Sequence, residues 1–186
     1  MAGQKLNFQS AEDVRSYINE KPLKHVKVGF FDVDGVFRGK FIARDKFLSA
    51  LDGGYNFCDA VLGWDVADEL YDNSEFTGWH TGFPDASLRI IPESGMILPF
   101  ENETLFFTSE FSGRSEAICP RGILRRVLQR AEDMGFSAKA AMEFEFFMFQ
   151  ESPDSIEEKG FRDLKTLSPG NFSYSALRSI MFEDLY

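Results

Sequence analysis

The sequence is short of cysteine and histidine. Its 186 residues include two cysteines, Cys58 and Cys119, and two histidines, His25 and His80. Two cysteines support no disulfide framework, and a Cys/His zinc site would need all four scattered residues to meet. Neither histidine has a Gly-x-Ser-x-Gly partner, which argues against a hydrolase triad. Positive charge is also scarce: 20 Lys+Arg stand against 30 Asp+Glu, a formal charge of -10 that repels phosphate backbones and anionic membranes. The expectation is therefore no nucleic-acid partner and no membrane. No apolar run approaches the roughly 18 residues of a membrane span, and residues 1–10 lack the apolar core of a signal peptide, so a cytoplasmic location is expected. What is abundant is phenylalanine: 21 Phe against five Tyr and two Trp reads as core rather than as a surface for stacking bases.

The pattern along the chain is that of an α+β protein. Ser10 can cap a short helix carrying Val14, Tyr17 and Ile18 on one face, which Pro22 closes. Val26 to Asp34 and Val36 to Ala43 read as a hairpin about Asp34-Gly35, and Asp45 as the cap of a brief helix ended by Gly53-Gly54. Residues 63–82 crowd Asp65, Asp68, Glu69, Asp72 and Glu75 among glycines and aromatics, the composition of a functional or mobile loop. Strands resume at Ser87 to Ile91 and Thr104 to Phe111, and Ser112 to Ser115 reads as a linker. Pro120 then opens a strong helix, with Ile123, Leu124, Val127, Leu128, Ala131 and Met134 as its apolar stripe and Arg121, Arg125, Arg126 and Arg130 around the other side, read as a solvated face or a phosphate or partner contact. Ala138 to Gln150 alternates apolar residues on both faces, as a central strand would, and Tyr174 to Tyr186 looks helical. No capping signal follows Tyr186, so the front part of a longer polypeptide is expected.

Three places could carry chemistry. Glu143 and Glu145, two apart on a strand, point the same way; burying such a pair costs several kcal/mol unless a cation neutralises it, and hard oxygen ligands suit Mg²⁺ or Mn²⁺. The alternative is a strand end whose carboxylates reach water or arginines. Asp32-Val33-Asp34-Gly35 after an apolar strand matches the nucleophile motif of haloacid-dehalogenase phosphatases, yet an Asp-Gly hairpin turn accounts for the same letters. Gly35 to Lys40 is not a phosphate loop, since three residues separate its glycines and Phe41 stands where Ser or Thr should bind the metal.

Taken together, four stretches in order resemble the glutamine synthetase family: Phe31 to Lys40, Pro84-Asp85-Ala86-Ser87, Cys119-Pro120-Arg121, and above all Met142 to Phe149, which resembles the Glu-x-Glu-Phe-Phe strand of that family. The resemblance implies a β-grasp domain over residues 1–112 and the beginning of a catalytic α+β domain over 113–186. It implies ATP as co-substrate, Mg²⁺ or Mn²⁺ held by Glu143 and Glu145, and glutamate with an amine or ammonia as the other substrates. Glu145 would serve the metal near glutamate and Glu143 the metal bridging the ATP phosphates. A homo-oligomeric ring is implied too, with the loop from Cys58 to Asp72 closing a neighbour's cavity. In that loop the resemblance places Asp59 where the family binds ammonium and Trp64 at the active-site mouth, with a loop-anchoring aromatic as the alternative reading of Trp64. The serines of ammonia-using members are replaced here by Ala60-Val61-Leu62, and Leu62-Gly63-Trp64-Asp65-Val66-Ala67-Asp68 resembles the loop of γ-glutamyl-polyamine synthetases. A larger amine acceptor is the expectation, with Asp65, Asp68 and Glu69 attracting it. Glutamine synthetase proper, a catalytically silent relative and the phosphatase are the rivals. The family's later motifs lie beyond Tyr186, so the segment alone is expected to be inactive.

Overall fold

A computed structural model describes residues 3–101, 103–170 and 175–185. The chain divides into two compact units, Met1–Ala138 and Lys139–Tyr186. The first is a mixed sheet with helices. Its elements are β1 (Gln4–Lys5), α1 (Ala11–Asn19), β2 (His25–Phe31), β3 (Phe37–Ala43), α2 (Arg44–Gly53), β4 (Tyr55–Cys58), β5 (Asp85–Ile90), β6 (Met96–Leu98), β7 (Thr104–Phe111) and α3 (Pro120–Asp133).

β7 is the organising strand. It pairs in parallel with β2 on one edge and antiparallel with β5 and β6 on the other; β3 extends the sheet beyond β2, β4 beyond β5, and β1 beyond β6. Between β5 and β6 a single 3-10 turn at Pro92–Ser94 interrupts the ladder, and Ser94 replaces the missing bond: its Oγ accepts from the Thr108 N–H at 2.8 Å. Leu105, Phe107, Ser109 and Phe111 alternate along β7 onto one buried face, joined by Val26, Val28 and Phe30 from β2. α1 and α2 cover that face with Val14, Ile18, Phe47 and Ala50. Phe107 stacks on Phe8 and lies 5.2 Å from Phe47, centroid to centroid, while Phe30 meets Phe111 edge-on at 4.7 Å.

α1 begins where its sequence signals it: Ser10 accepts from the Asp13 N–H, and Asp13 returns the bond to the Ser10 N–H. α2 starts two residues earlier than expected, so Asp45 lies in its first turn and no side chain caps it. The β2–β3 hairpin closes through residues 33–35 with Gly35 at φ 79°, the conformation a three-residue hairpin loop requires. Gly29, midway along β2, lets the Phe37 ring lie flat over the sheet; a Cβ there would collide with that ring and with the Arg38 carbonyl. The stretch read as a linker is a 3-10 turn, Gly113–Ala117, with Ser115 buried.

α3 reverses the polarity expected of it. Its apolar residues Ile123, Leu124, Val127 and Leu128 remain 43–58% exposed within their unit, while its arginines make the contacts. Glu110, buried on the second face of β7, accepts from Arg125 at 2.5 Å, Arg89 at 2.8 Å and Arg121 at 3.2 Å. Burial pushes the Glu110 carboxyl up, but the hydrogen bonds from Arg89, Arg125 and Arg121 outweigh it and bring the group below its ordinary value. Arg126 donates to the Glu116 and Ala117 carbonyls. The solvated face is thus the docking face.

The second unit contains α4 (Pro153–Glu158), α5 (Ala176–Ser179) and a 3-10 segment, Ile180–Leu185, kinked at Phe182. Tyr174 and Tyr186, the ends of the expected last helix, lie outside the described residues. Its anchor is Glu151, which accepts from the Lys159 ammonium, the Lys165 N–H and the Ser155 hydroxyl and is held at about 2 by them. The strand read from Ala138 to Gln150 is not formed: a single bridge pairs Phe149 with Thr166, and residues 136–148 carry no regular secondary structure. A strand needs a ladder partner along its length, and among the described residues none is offered.

Candidate functional site

The loop after β4 starts as a 3-10 turn, Asp59–Leu62, whose four residues are all buried. Asp59 is 3% exposed, and its Oδ1 accepts from the Thr77 hydroxyl at 2.5 Å. No lysine, arginine or histidine pairs with it among the described residues. It lines a cleft of about 330 Å³ with Phe76, Ser87, Ser112 and Arg114. Arg114 is engaged elsewhere in that wall, lying over the Phe76 ring at 4.5 Å and donating to the Phe76 carbonyl at 3.2 Å.

Past Gly63 the chain folds back on itself through a bridge between Trp64 and Leu70. Asp65 organises the turn: its Oδ1 accepts from the Ala67 and Glu69 N–H groups at 2.8 and 3.0 Å. Asp68 sits at φ 64°, a left-handed conformation that Asp and Asn tolerate better than most residues. The loop is then fastened to the β2–β3 hairpin by Arg38. Its Nε donates to Asp32 at 2.7 Å, one terminal nitrogen to Asp68 at 2.5 Å and the other to the Asp65 carbonyl at 3.3 Å, and the guanidinium lies 5.1 Å from the Trp64 ring centroid. The Asp32 hydrogen bond leads the effects that raise the Arg38 pKa above its ordinary value. A second tie runs from the Tyr71 hydroxyl to Asp34 at 3.3 Å.

This arrangement disposes of the phosphatase alternative. Asp32 is 1% exposed, accepts from the Asp34 and Val36 N–H groups at 3.0 and 2.8 Å through Oδ1 and pairs with Arg38 through Oδ2, so both oxygens are engaged. A nucleophile must be free and accessible. Asp32 is a hairpin residue.

Asp59 and Trp64 lie on one loop, Asp59 in its opening turn and Trp64 in the bridge to Leu70. Glu143 and Glu145 lie in the second unit, both exposed, in the stretch without regular structure. Their carboxylates are the hard oxygen donors a divalent cation prefers, which fits Mg²⁺ or Mn²⁺ chemically. Two ligands are an incomplete shell, and among the described residues no three His, Cys, Asp or Glu side chains converge as a metal cluster. Sequence reasoning missed Thr77 and the role of Arg38. Thr77 carries no signal in its neighbours, whereas Arg38, six residues after Asp32 across a tight turn, could have been read as its counter-ion.

Among the described residues, no helix is long and apolar enough to cross a membrane. The family model for the glutamine synthetase catalytic domain matches residues 117–180. Type-1 glutamine synthetase 2 of Dictyostelium discoideum is 36% identical over 176 residues, covering 92% of this chain and 34% of that protein. Glutamate–isopropylamine ligase of a Pseudomonas species is 34% identical over 177 residues, covering 92% and 38%. A cryo-EM structure of Plasmodium falciparum glutamine synthetase shares the fold at a TM-score of 0.54 and 14% identity, over 71% of this chain and 24% of that one. The chain thus spans little more than a third of the length of these curated relatives. On this likeness in sequence and fold, the chain belongs to the glutamine synthetase family, whose matched members include both glutamine synthetases and a glutamate:amine ligase.

Proposed function

We propose that this chain is the front part of an ATP-dependent glutamate:amine ligase that forms a γ-glutamyl amide through γ-glutamyl phosphate. The observation that carries the reading is Asp59: a carboxylate buried in the wall of an open cleft, met by a neutral hydroxyl and by no cation among the described residues. Burying a carboxylate costs several kcal/mol unless positive charge or several donors compensate. An ammonium group entering the cleft would supply that charge. Relationship to glutamate–isopropylamine ligase supports the same class of acceptor.

In the proposed reaction the γ-carboxylate of glutamate attacks the terminal phosphorus of ATP, forming an O–P bond and releasing ADP. The amine nitrogen then attacks the acyl carbon, the C–O bond to phosphate breaks, and nitrogen loses a proton. Asp59 would bind the acceptor as its ammonium and take the proton that makes it nucleophilic. Glu143 and Glu145 would hold the divalent cations, which when bound neutralise the transferring phosphoryl group. Trp64 would wall the acceptor's entrance. In the same reading residues 1–112 form a β-grasp domain and 113–186 open the catalytic domain. In a homo-oligomeric ring the loop from Cys58 to Asp72 would close a neighbouring subunit's cavity.

The test is turnover by the full-length polypeptide with ATP, glutamate and a panel of amines beside ammonia, followed by phosphate release and by the mass of the product. Amide formation with alkyl amines, abolished by Glu145→Gln, is the expected result. Turnover with ammonia alone would move the assignment to glutamine synthetase, as the 36% identical relative suggests. No turnover with any acceptor would identify a silent family member.

A further inference from the structure

Among the described residues, Arg38 is the cation that pairs with the carboxylates of this hairpin and loop, bonding Asp32 and Asp68 while Asp34, Asp65 and Glu69 lie on the same two segments. Left alone, such a cluster repels itself, and residues 66–71, exposed beyond the half-buried Trp64, would open more readily. The guanidinium prevents this by acting in three directions at once. Its Nε faces the fully buried Asp32, its terminal nitrogens face Asp68 and the Asp65 carbonyl, and its plane lies over Trp64. Asp32 is itself held by two backbone N–H groups of a tight turn. The rigid hairpin therefore dictates where the loop stands, through one side chain.

We propose that Arg38 is a positioning residue for the acceptor: it sets the arrangement of the Trp64–Tyr71 loop and so the shape of the amine entrance, without touching reacting atoms. The part concerning the acceptor rests on the ligase reading above; the latch itself does not. Lysine cannot replace it. An ammonium is a point charge that can satisfy Asp32 or Asp68 but lacks the planar fork and the stacking face.

Two experiments separate the claims. In hydrogen exchange on this chain, Arg38→Lys and Asp68→Asn should each lower protection of the Ala67, Glu69 and Tyr71 amides by roughly 3- to 10-fold, the range expected of a partly exposed charge-assisted bond. Amides of β2 and β3 should be unmoved by Asp68→Asn, which keeps Asp32 paired and places Asn in a conformation it accepts. Unchanged loop protection in Asp68→Asn overturns the latch, and that variant decides alone where Arg38→Lys fails to fold. In the full-length enzyme, Arg38→Lys should raise the amine KM roughly 3- to 10-fold with kcat and the glutamate KM within about twofold, tracking the loss of loop order. Charge is conserved in this variant, so a purely electrostatic role predicts no change, and an unmoved amine KM overturns the positioning of the acceptor. Absence of any ligase turnover in the wild-type enzyme would refute the ligase reading and with it the acceptor role, while hydrogen exchange still decides the latch.

Discussion

Replacing Glu110 with Gln should release α3 from the sheet. Its apolar stripe is exposed within the unit, so the helix is held to β7 by Arg121 and Arg125, which meet the buried Glu110 carboxylate together with Arg89 of β5. Gln keeps the volume and one acceptor but removes the charge. Breaking a fully buried pair costs about 3–5 kcal/mol, but the arginine side chains here are 43–46% exposed, so solvent screening reduces the loss to roughly 2–3 kcal/mol. For a unit of this size that is a fall in Tm of roughly 6–10 °C. Thermal melts by circular dichroism measure the total, and hydrogen exchange of the α3 amides locates it. Arg130→Ala is the internal control: among the described residues Arg130 makes no ion pair, and its loss should cost less than about 0.5 kcal/mol. The pH dependence has a fixed sign. The folded carboxyl is held below its ordinary 4.5, so its contribution is complete above that value and is lost as pH falls through the folded value. If Glu110→Gln melts within about 2 °C of the parent and α3 keeps its protection, the arginine face does not dock the helix.

Phe107→Ala should cost about 3–5 kcal/mol, since a fully buried ring packed on Phe8 and Phe47 leaves a cavity; denaturant titration measures it. Burial pushes the Tyr55 phenol up from 10 to about 12. Its contribution to stability is whole below pH 10 and is lost as pH rises through 12, so absorbance at 295 nm should show one tyrosine ionising only as the fold melts. Glu151→Gln should disorder the turn around α4, read as lost chemical-shift dispersion at Ser155, Lys159 and Lys165. In the parent, the same change should appear as pH falls from about 4.5 towards 2, because the group is held at about 2.

Local rules made much of the first unit readable. Ser10 before an amphipathic run specifies a helix start, Asp34-Gly35 between two apolar runs specifies a hairpin, and Pro120 followed by a 3.6-residue apolar period specifies α3; each is a property of neighbours in sequence. The membership of the chain in its family was equally legible, because short motifs in order survive where overall identity is low. What could not be read is everything that depends on residues far apart. That β7 joins β2 in parallel, that α3 docks by its arginines, and that Thr77 completes Asp59 all arise from pairings across 15 to more than 70 residues. The expected strand at Glu143 and Glu145 marks the boundary most plainly. Its alternation is local and visible in the sequence, but a strand exists only when another strand satisfies its backbone N–H and C=O groups, and only the tertiary structure decides whether that partner is there.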